Sequence, residues 1–228
     1  MRQLAPTCPS DLAQKRLRIT EVFHSVQGES TWAGRPCSFV RLTGCNLRCT
    51  WCDSEYTFTG GDWKSFTELL ETLDSYGPCS LVEITGGEPL LQRDVLPFMT
   101  ILADAGIDVL LETSGSLDLS GVDPRVHKIV DFKPPGSGEV ARNRLENMEF
   151  LTERDEVKFV ITDREDYEWA RALIREHSVR ARVREVLLSP VFGSDYRELV
   201  GWMLEDRLDA RLQLQLHKYI WAPDTKGV

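Results

Sequence analysis

Leu81-Val82-Glu83-Ile84-Thr85-Gly86-Gly87-Glu88-Pro89 begins as a β-rich run and breaks at two glycines and a proline. A helical pattern follows over residues 91–105, so the stretch reads as one strand–turn–helix unit. The same alternation recurs in both directions. Further β-rich runs stand at residues 18–23, 38–42, 109–112, 128–132, 156–161, 185–188 and 211–216. Helical patterns stand at 65–75, 163–177 and 194–206, each behind a β-rich run. Alternation of this kind implies βα units, a mainly parallel sheet and right-handed crossovers. The runs are dense in Val, Ile and Leu, as strands covered on both faces should be. Too few units are present for a closed eightfold barrel, so the sequence predicts an α/β fold: an open, partial parallel β/α barrel of about six to seven strands. Residues 60–64 and 133–144 read as loops, the second carrying Pro134, Pro135, Gly136 and Gly138. Residues 1–16 read as a flexible lead-in and 17–228 as a single domain.

The chain has 228 residues, 42% hydrophobic and 28% charged, which suits a soluble globular protein with a substantial core. No apolar run approaches the roughly 20 residues of a membrane span, and the first residues lack the apolar centre of a secretory signal. A cytoplasmic protein without a membrane partner is therefore expected. The net charge of −9 argues against a nucleic-acid partner, because phosphate recognition concentrates Lys and Arg. A small-molecule substrate fits better. Of six cysteines, Cys45, Cys49 and Cys52 cluster, while Cys8, Cys37 and Cys79 are scattered. A disulfide framework belongs to short secreted chains. The clustered three point instead to a metal site in a reducing compartment, and the scattered three to small packed thiols.

The polar motifs fall just behind the β-rich runs: residues 45–52, Gly86-Gly87-Glu88-Pro89, Thr113-Ser114-Gly115 and Lys133-Pro134. In parallel α/β barrels that edge carries the active site, so the four motifs predict one pocket. Gly44-Cys45-Asn46-Leu47-Arg48-Cys49-Thr50-Trp51-Cys52-Asp53 has the spacing C-x3-C-x2-C. Zinc normally takes four ligands, often in two separated pairs, and ordinary [4Fe–4S] sites use four thiolates. Three thiolates leave an iron open for a ligand. A structural zinc with a remote fourth cysteine and a redox pair made by Cys49 and Cys52 are the alternatives.

The cysteine spacing, with aromatic Trp51 before the third thiol, resembles the radical S-adenosylmethionine (SAM) superfamily. The Gly-Gly-Glu-Pro segment at 86–89 is similar to that superfamily's SAM-amino-binding segment. The resemblance implies a [4Fe–4S] cluster on Cys45, Cys49 and Cys52, SAM chelated on the open iron, and a 5′-deoxyadenosyl radical as the reactive species. No side chain is then needed as a catalyst beyond that cofactor-derived radical. Matching SAM-binding positions are Trp51, Asp53, Gly86, Gly87, Glu88, Ser114, Asp131, Phe132, Lys133 and Ser189.

Within the superfamily, Phe23-His24-Ser25-Val26-Gln27-Gly28-Glu29, Gly34-Arg35-Pro36, Phe39-Val40-Arg41-Leu42, Asp53-Ser54 and the closing Gln215-Leu216-His217-Lys218-Tyr219-Ile220-Trp221-Ala222-Pro223 resemble the 7-carboxy-7-deazaguanine synthase family. The resemblance runs from about Ile19 to the end. It implies conversion of 6-carboxy-5,6,7,8-tetrahydropterin to 7-carboxy-7-deazaguanine with loss of ammonia, on the route to queuosine and other 7-deazapurines. It also implies Mg2+, held by Ser54 where the family usually has Thr, a flavodoxin-type electron donor and a homodimer. Substrate contacts carried over are Val26, Gln27, Gly28, Glu29, Arg41, Thr85, His217 and Pro223. A pterin edge offers donors and acceptors together, and an Arg suits its carboxylate. Residues 224–228 run beyond the usual family end near Pro223, so either Pro223 or Val228 is a candidate for the pocket. His24, His127 and His177 read as structural or surface residues, and 163–177 as a helix with a solvated charged face. The rival enzyme is a glycyl-radical activating enzyme, whose substrate is a protein. The non-enzymatic rival is a zinc-stabilised binding module.

Overall fold

The computed structural model describes residues 8–78 and 80–228. Cys79 and residues 1–7 of the lead-in lie outside the described residues. Cys8 and Leu12 of the remaining lead-in pack against the core, and Lys15 Nζ meets Asp94 Oδ1 at 2.5 Å.

Nine strands form one sheet among the described residues: β1 (Arg16–Val26), β2 (Pro36–Leu42), β3 (Asp62–Ser65), β4 (Leu81–Gly86), β5 (Asp108–Thr113), β6 (His127–Asp131), β7 (Glu156–Ile161), β8 (Glu185–Pro190) and β9 (Arg211–Leu212). Their spatial order is β3-β1-β2-β4-β5-β6-β7-β8-β9. From β2 to β9 every neighbour is parallel. This is the expected open, partial α/β barrel. Two antiparallel strands, β1 and β3, extend its first edge. The helices α1 (Phe66–Ser75), α2 (Val95–Asp104), α3 (Arg164–Glu176) and α4 (Tyr196–Glu205) follow β3, β4, β7 and β8, and a single turn, α5 (His217–Ile220), lies near the end.

Strand β3 falls in the stretch expected to be a loop. Its sequence, Asp-Trp-Lys-Ser, lacks a strand pattern because it is a partly exposed edge strand held by ladder bonds to β1. The run at 211–216 keeps only two strand residues, since from Gln213 onward its side chains turn to the site. The pattern at 91–105 divides into a 3-10 turn, Pro89–Leu91, and α2. Glu88 caps that turn and Pro89 opens it, which matches the preference for Pro at a first helical position. α1 begins on a full capping box, with Ser65 and Glu68 exchanging bonds.

Alternation along the strands divides the sheet into two faces. Val40, Leu42, Val82, Ile84, Val109, Leu111, Val130, Val157 and Phe159 point outward into the layer shared with the helices. Burial of each such side chain contributes about 1.5–3 kcal/mol. On the inner face, Phe23, Phe39, Leu81, Leu110 and Ile129 join Trp32 and Cys37 in a smaller apolar cluster. This plug closes the barrel toward the strand N-termini, and the inward residues above it are polar.

Candidate active site

Above the plug lies a cavity of about 570 Å³, a size suited to a cofactor or small substrate. The thiols of Cys45, Cys49 and Cys52 occupy one side. Their loop is tied down by its backbone: Gly44 N–H donates to Thr57 O at 2.7 Å, and Thr50 N–H to Ser137 O at 3.1 Å. Thr50 Oγ1 donates to Gly136 O at 2.8 Å, and Arg48 stacks over Phe58 at 4.0 Å. Gly87 passes directly beneath this loop. A Cβ there would stand 2.4 Å from Gly44 O and 2.6 Å from Cys45 Cβ, so only glycine fits.

All three thiols are free and half-buried. Burial pushes the Cys49 thiol up, while the Lys133 ammonium pulls it back toward the thiolate that binds iron. Among the described residues no three His, Cys, Asp or Glu side chains converge as ligands of one metal ion would. Thiolates on a four-iron cluster each take a separate iron, so the spread thiols fit a cluster. Ser54 lines the same side, with its hydroxyl 3.8 Å from Cys52 Sγ.

Next to the thiols come Trp51, Asp53, Gly86, Gly87, Ser114, Asp131, Lys133 and Ser189, all on the cavity wall. Asp131 Oδ2 meets Lys133 Nζ at 2.9 Å. Its Oδ1 is buried and has no hydrogen-bond partner among the described residues. That orphaned oxygen, the close-set Gly87 and the thiol loop together fit SAM. Lys133 is no solvated loop charge. Burial pushes its ammonium down, but Asp131 and the Cys49 thiol outweigh this and hold it above its ordinary value.

Two residues expected here stand elsewhere. Glu88 is fully buried behind the wall, where it accepts bonds from Leu90 N–H at 3.1 Å, Ser114 N–H at 2.9 Å and Ser114 Oγ at 2.6 Å. Thr113 Oγ1 donates to it at 2.9 Å as well. Its carboxylate organises the wall rather than a ligand. Phe132 points into the core against Phe159, with ring centroids 6.3 Å apart, because β6 alternation turns Asp131 inward and Phe132 outward.

The same cavity is also lined by Val26, Gln27, Gly28, Glu29, Arg41, Thr85 and His217. Residues 27–29 arrive from an unexpected direction. Val26 pairs with Pro36, the first residue of β2, so antiparallel β1 ends at the barrel's lower end. The loop behind it then rises into the interior. Gly28 lies against His217: a Cβ would stand 2.1 Å from its Nδ1. Leu216 N–H donates to Gly28 O at 2.8 Å and fixes the two segments together. Arg41 Nε is held by Glu21 Oε1 at 2.7 Å. Pro223 is exposed and off the cavity wall, whereas Val228 lines it.

The sequence reading passed over Glu83, Glu112, Lys158, Gln215 and Lys218, which also line the cavity. Lys158 Nζ bridges Glu29 Oε2 at 2.9 Å and Glu112, with Asp131 Oδ2 at 3.6 Å. Gln213 and Gln215 donate to the two Glu29 oxygens at 3.0 and 2.9 Å. Burial pushes the Glu29 carboxyl up, yet Lys158, the Gln215 amide and His217 win and hold it below the usual range. Burial lowers His217. Lys218 Nζ meets Asp53 Oδ2 at 2.7 Å and links the chain's last helical turn to the cysteine loop. The missed signal was a charge inside an apolar strand run, as in Val82-Glu83-Ile84 and Val157-Lys158-Phe159.

Three thiols on one loop with a glycine-backed ligand wall, on the open rim of a partial β/α barrel, define a radical SAM enzyme that acts on a small molecule. The Radical SAM superfamily profile matches residues 39–136. The chain is 52% identical over 226 residues to 7-carboxy-7-deazaguanine synthase of Koribacter versatilis, covering 93% of this chain and 100% of that protein. It is 45% identical over 217 residues to the enzyme of the same name from Chlorobaculum tepidum, covering 93% and 97%. The crystal structure of QueE from Escherichia coli superposes with a TM-score of 0.72 at 26% identity, covering 89% of this chain and 95% of that one. The chain belongs to the 7-carboxy-7-deazaguanine synthase family. Its cofactors are accordingly a [4Fe–4S] cluster and SAM. No described helix is long and apolar enough to cross a membrane.

Proposed function

We propose that the protein converts 6-carboxy-5,6,7,8-tetrahydropterin to 7-carboxy-7-deazaguanine and ammonia. The observation that carries this is the composition of the rest of the cavity wall. Gln27, Glu29, Arg41, Thr85 and His217 there present donors, acceptors and a cation to one space, as a bicyclic ring with an amide edge and a carboxylate requires. When bound, the reduced cluster and SAM supply a carbon radical able to remove hydrogen from C6. The chain's own residues bind, orient and shield. Gln27 and Glu29 hold the pyrimidine edge, Arg41 faces the carboxylate, and Thr85 and His217 fix the saturated ring. Ser54 would hold a Mg2+ ion, which would supply further positive charge for the carboxylate. Val26 and Gly28 add backbone groups. Trp51, Asp53, Gly86, Gly87, Ser114, Asp131, Lys133 and Ser189 line the SAM side. Mg2+ prefers few protein oxygens plus ligand oxygens, which a single serine hydroxyl beside a carboxylated substrate satisfies.

A flavodoxin-type donor and a homodimer, both carried over from the family resemblance, and the cytoplasmic location expected from the sequence complete this reading. Anaerobically reconstituted protein, given SAM, reductant, Mg2+ and the carboxytetrahydropterin, is expected to produce deazapurine absorbance. SAM cleavage with no deazapurine would instead favour a protein-activating radical enzyme.

A further inference from the structure

The inner face of the barrel carries one residue out of place. Glu83 on β4 lies in register between Phe39 on β2 and Leu110 on β5, and both of those belong to the apolar plug. A carboxyl group thus stands in an apolar layer at the cavity floor, only 3% exposed. Valine or leucine would complete that layer, and a buried acid there is unfavourable unless it serves something.

What it serves is Gln27. The Gln27 Nε2 donates to Glu83 Oε2, while its Oε1 accepts from Glu29 N–H at 2.9 Å. Both ends of the amide are engaged, so its orientation is fixed. The surrounding cations are otherwise committed. Lys158 bridges Glu29 and Glu112, and Arg41 pairs with Glu21. Among the described residues no Lys, Arg or His forms an ion pair with Glu83.

We propose that Glu83 is a positioning residue of the synthase site, clamping the Gln27 amide and, through it, the backbone at Glu29, so that the cavity presents one fixed edge to the bicyclic substrate. The proposal rests on the synthase function above. Burial first, then the Glu112 and Glu29 carboxylates, push the Glu83 carboxyl well above the ordinary range, which favours its neutral form. A neutral carboxyl accepts the Gln27 N–H through its carbonyl oxygen and places no extra negative charge beside a carboxylated substrate. It acts through Gln27 and takes no part in the radical step.

The test compares wild type, E83Q and E83L as anaerobically reconstituted holoenzymes, following product formation, substrate-free SAM cleavage, iron content and melting temperature. E83L is expected to melt within a few degrees of wild type, because the apolar side chain completes the plug while the buried Gln27 Nε2 loses its acceptor, two effects of opposite sign. Its iron content and substrate-free SAM cleavage should match wild type. Its KM for the carboxytetrahydropterin should rise about tenfold, with kcat falling less than about threefold, as the loss of one orienting hydrogen bond implies. E83Q, a neutral isostere, should restore KM to within about twofold of wild type. An unchanged KM in E83L would overturn the proposal, and so would an E83Q as impaired as E83L. Should E83L not fold, E83V fits the strand and carries the same expectation. A wild type that binds SAM but never turns over the pterin would defeat the synthase function itself, which is a separate failure.

Discussion

Glu88 shows at the level of one side chain how a site motif can support a ligand without touching it. In the Gly86-Gly87-Glu88-Pro89 segment the glycines form the cavity wall, while the carboxylate turns back to hold Thr113 and Ser114. Four donors converge on it in a dry environment. Glu88→Ala would leave them without an acceptor and should cost about 3 kcal/mol in urea unfolding. It should also weaken SAM binding by loosening Ser114, whereas a loss confined to SAM binding, with stability intact, would contradict this role. The residues legible in the sequence were those with unusual neighbours, such as the cysteines and Gln27-Gly28-Glu29. Glu83, Glu112 and Lys158 escaped because each sits beside apolar residues of a strand, where only the inward turn of the side chain reveals its purpose.

At the level of elements, the cysteine loop depends on a helix that never reaches the cavity. Asp166, buried in the first turn of α3, accepts from Gly136 N–H at 2.7 Å and Thr162 N–H at 3.1 Å. The turn it anchors receives Thr50 from the cysteine loop at Gly136 O and Ser137 O. A helix with a solvated charged face therefore carries one charge that is not solvated at all. Asp166→Ala should unpin the turn, so iron loss to a chelator is expected to accelerate several-fold while substrate recognition in freshly reconstituted enzyme changes little. An unchanged rate of iron loss would break this chain of support. The parallel strands and their helices were legible because apolar runs alternate with amphipathic ones. The short edge strand β3 and the upward path of residues 27–29 were not. The first is held by pairing alone, and the second follows from the antiparallel direction of β1.

For the molecule as a whole, the buried charges make stability depend on pH in opposing ways. Glu29 and Asp53 are held below their ordinary values of 4.5 and 3.8, despite burial, by Lys158 and Lys218 respectively. Their contributions are complete above those values and are lost as pH falls through the lower folded ones. Lys158 is raised well above 10.5 despite burial, by Glu112 and Glu29, so its contribution is complete below 10.5 and lost only at higher pH. Glu83 runs the other way. Its folded carboxyl is raised, so above 4.5 the unfolded chain gains an ionisation that the folded one resists, and stability declines with rising pH. Removing that ionisable group with E83Q should therefore stabilise the protein more at pH 8 than at pH 5 in urea unfolding. An equal effect at both pH values would mean that Glu83 titrates normally.

The partial barrel, with its apolar plug, thiol rim and polar wall, encloses the site of one radical reaction. That reaction is tested most directly with carboxytetrahydropterin deuterated at C6, turned over anaerobically with unlabelled SAM. Deuterium should appear at the adenosyl 5′ carbon, in 5′-deoxyadenosine and in any SAM re-formed from it, as deazapurine accumulates. Deazapurine with no label at that carbon, or SAM cleavage with neither label nor product, would contradict the account.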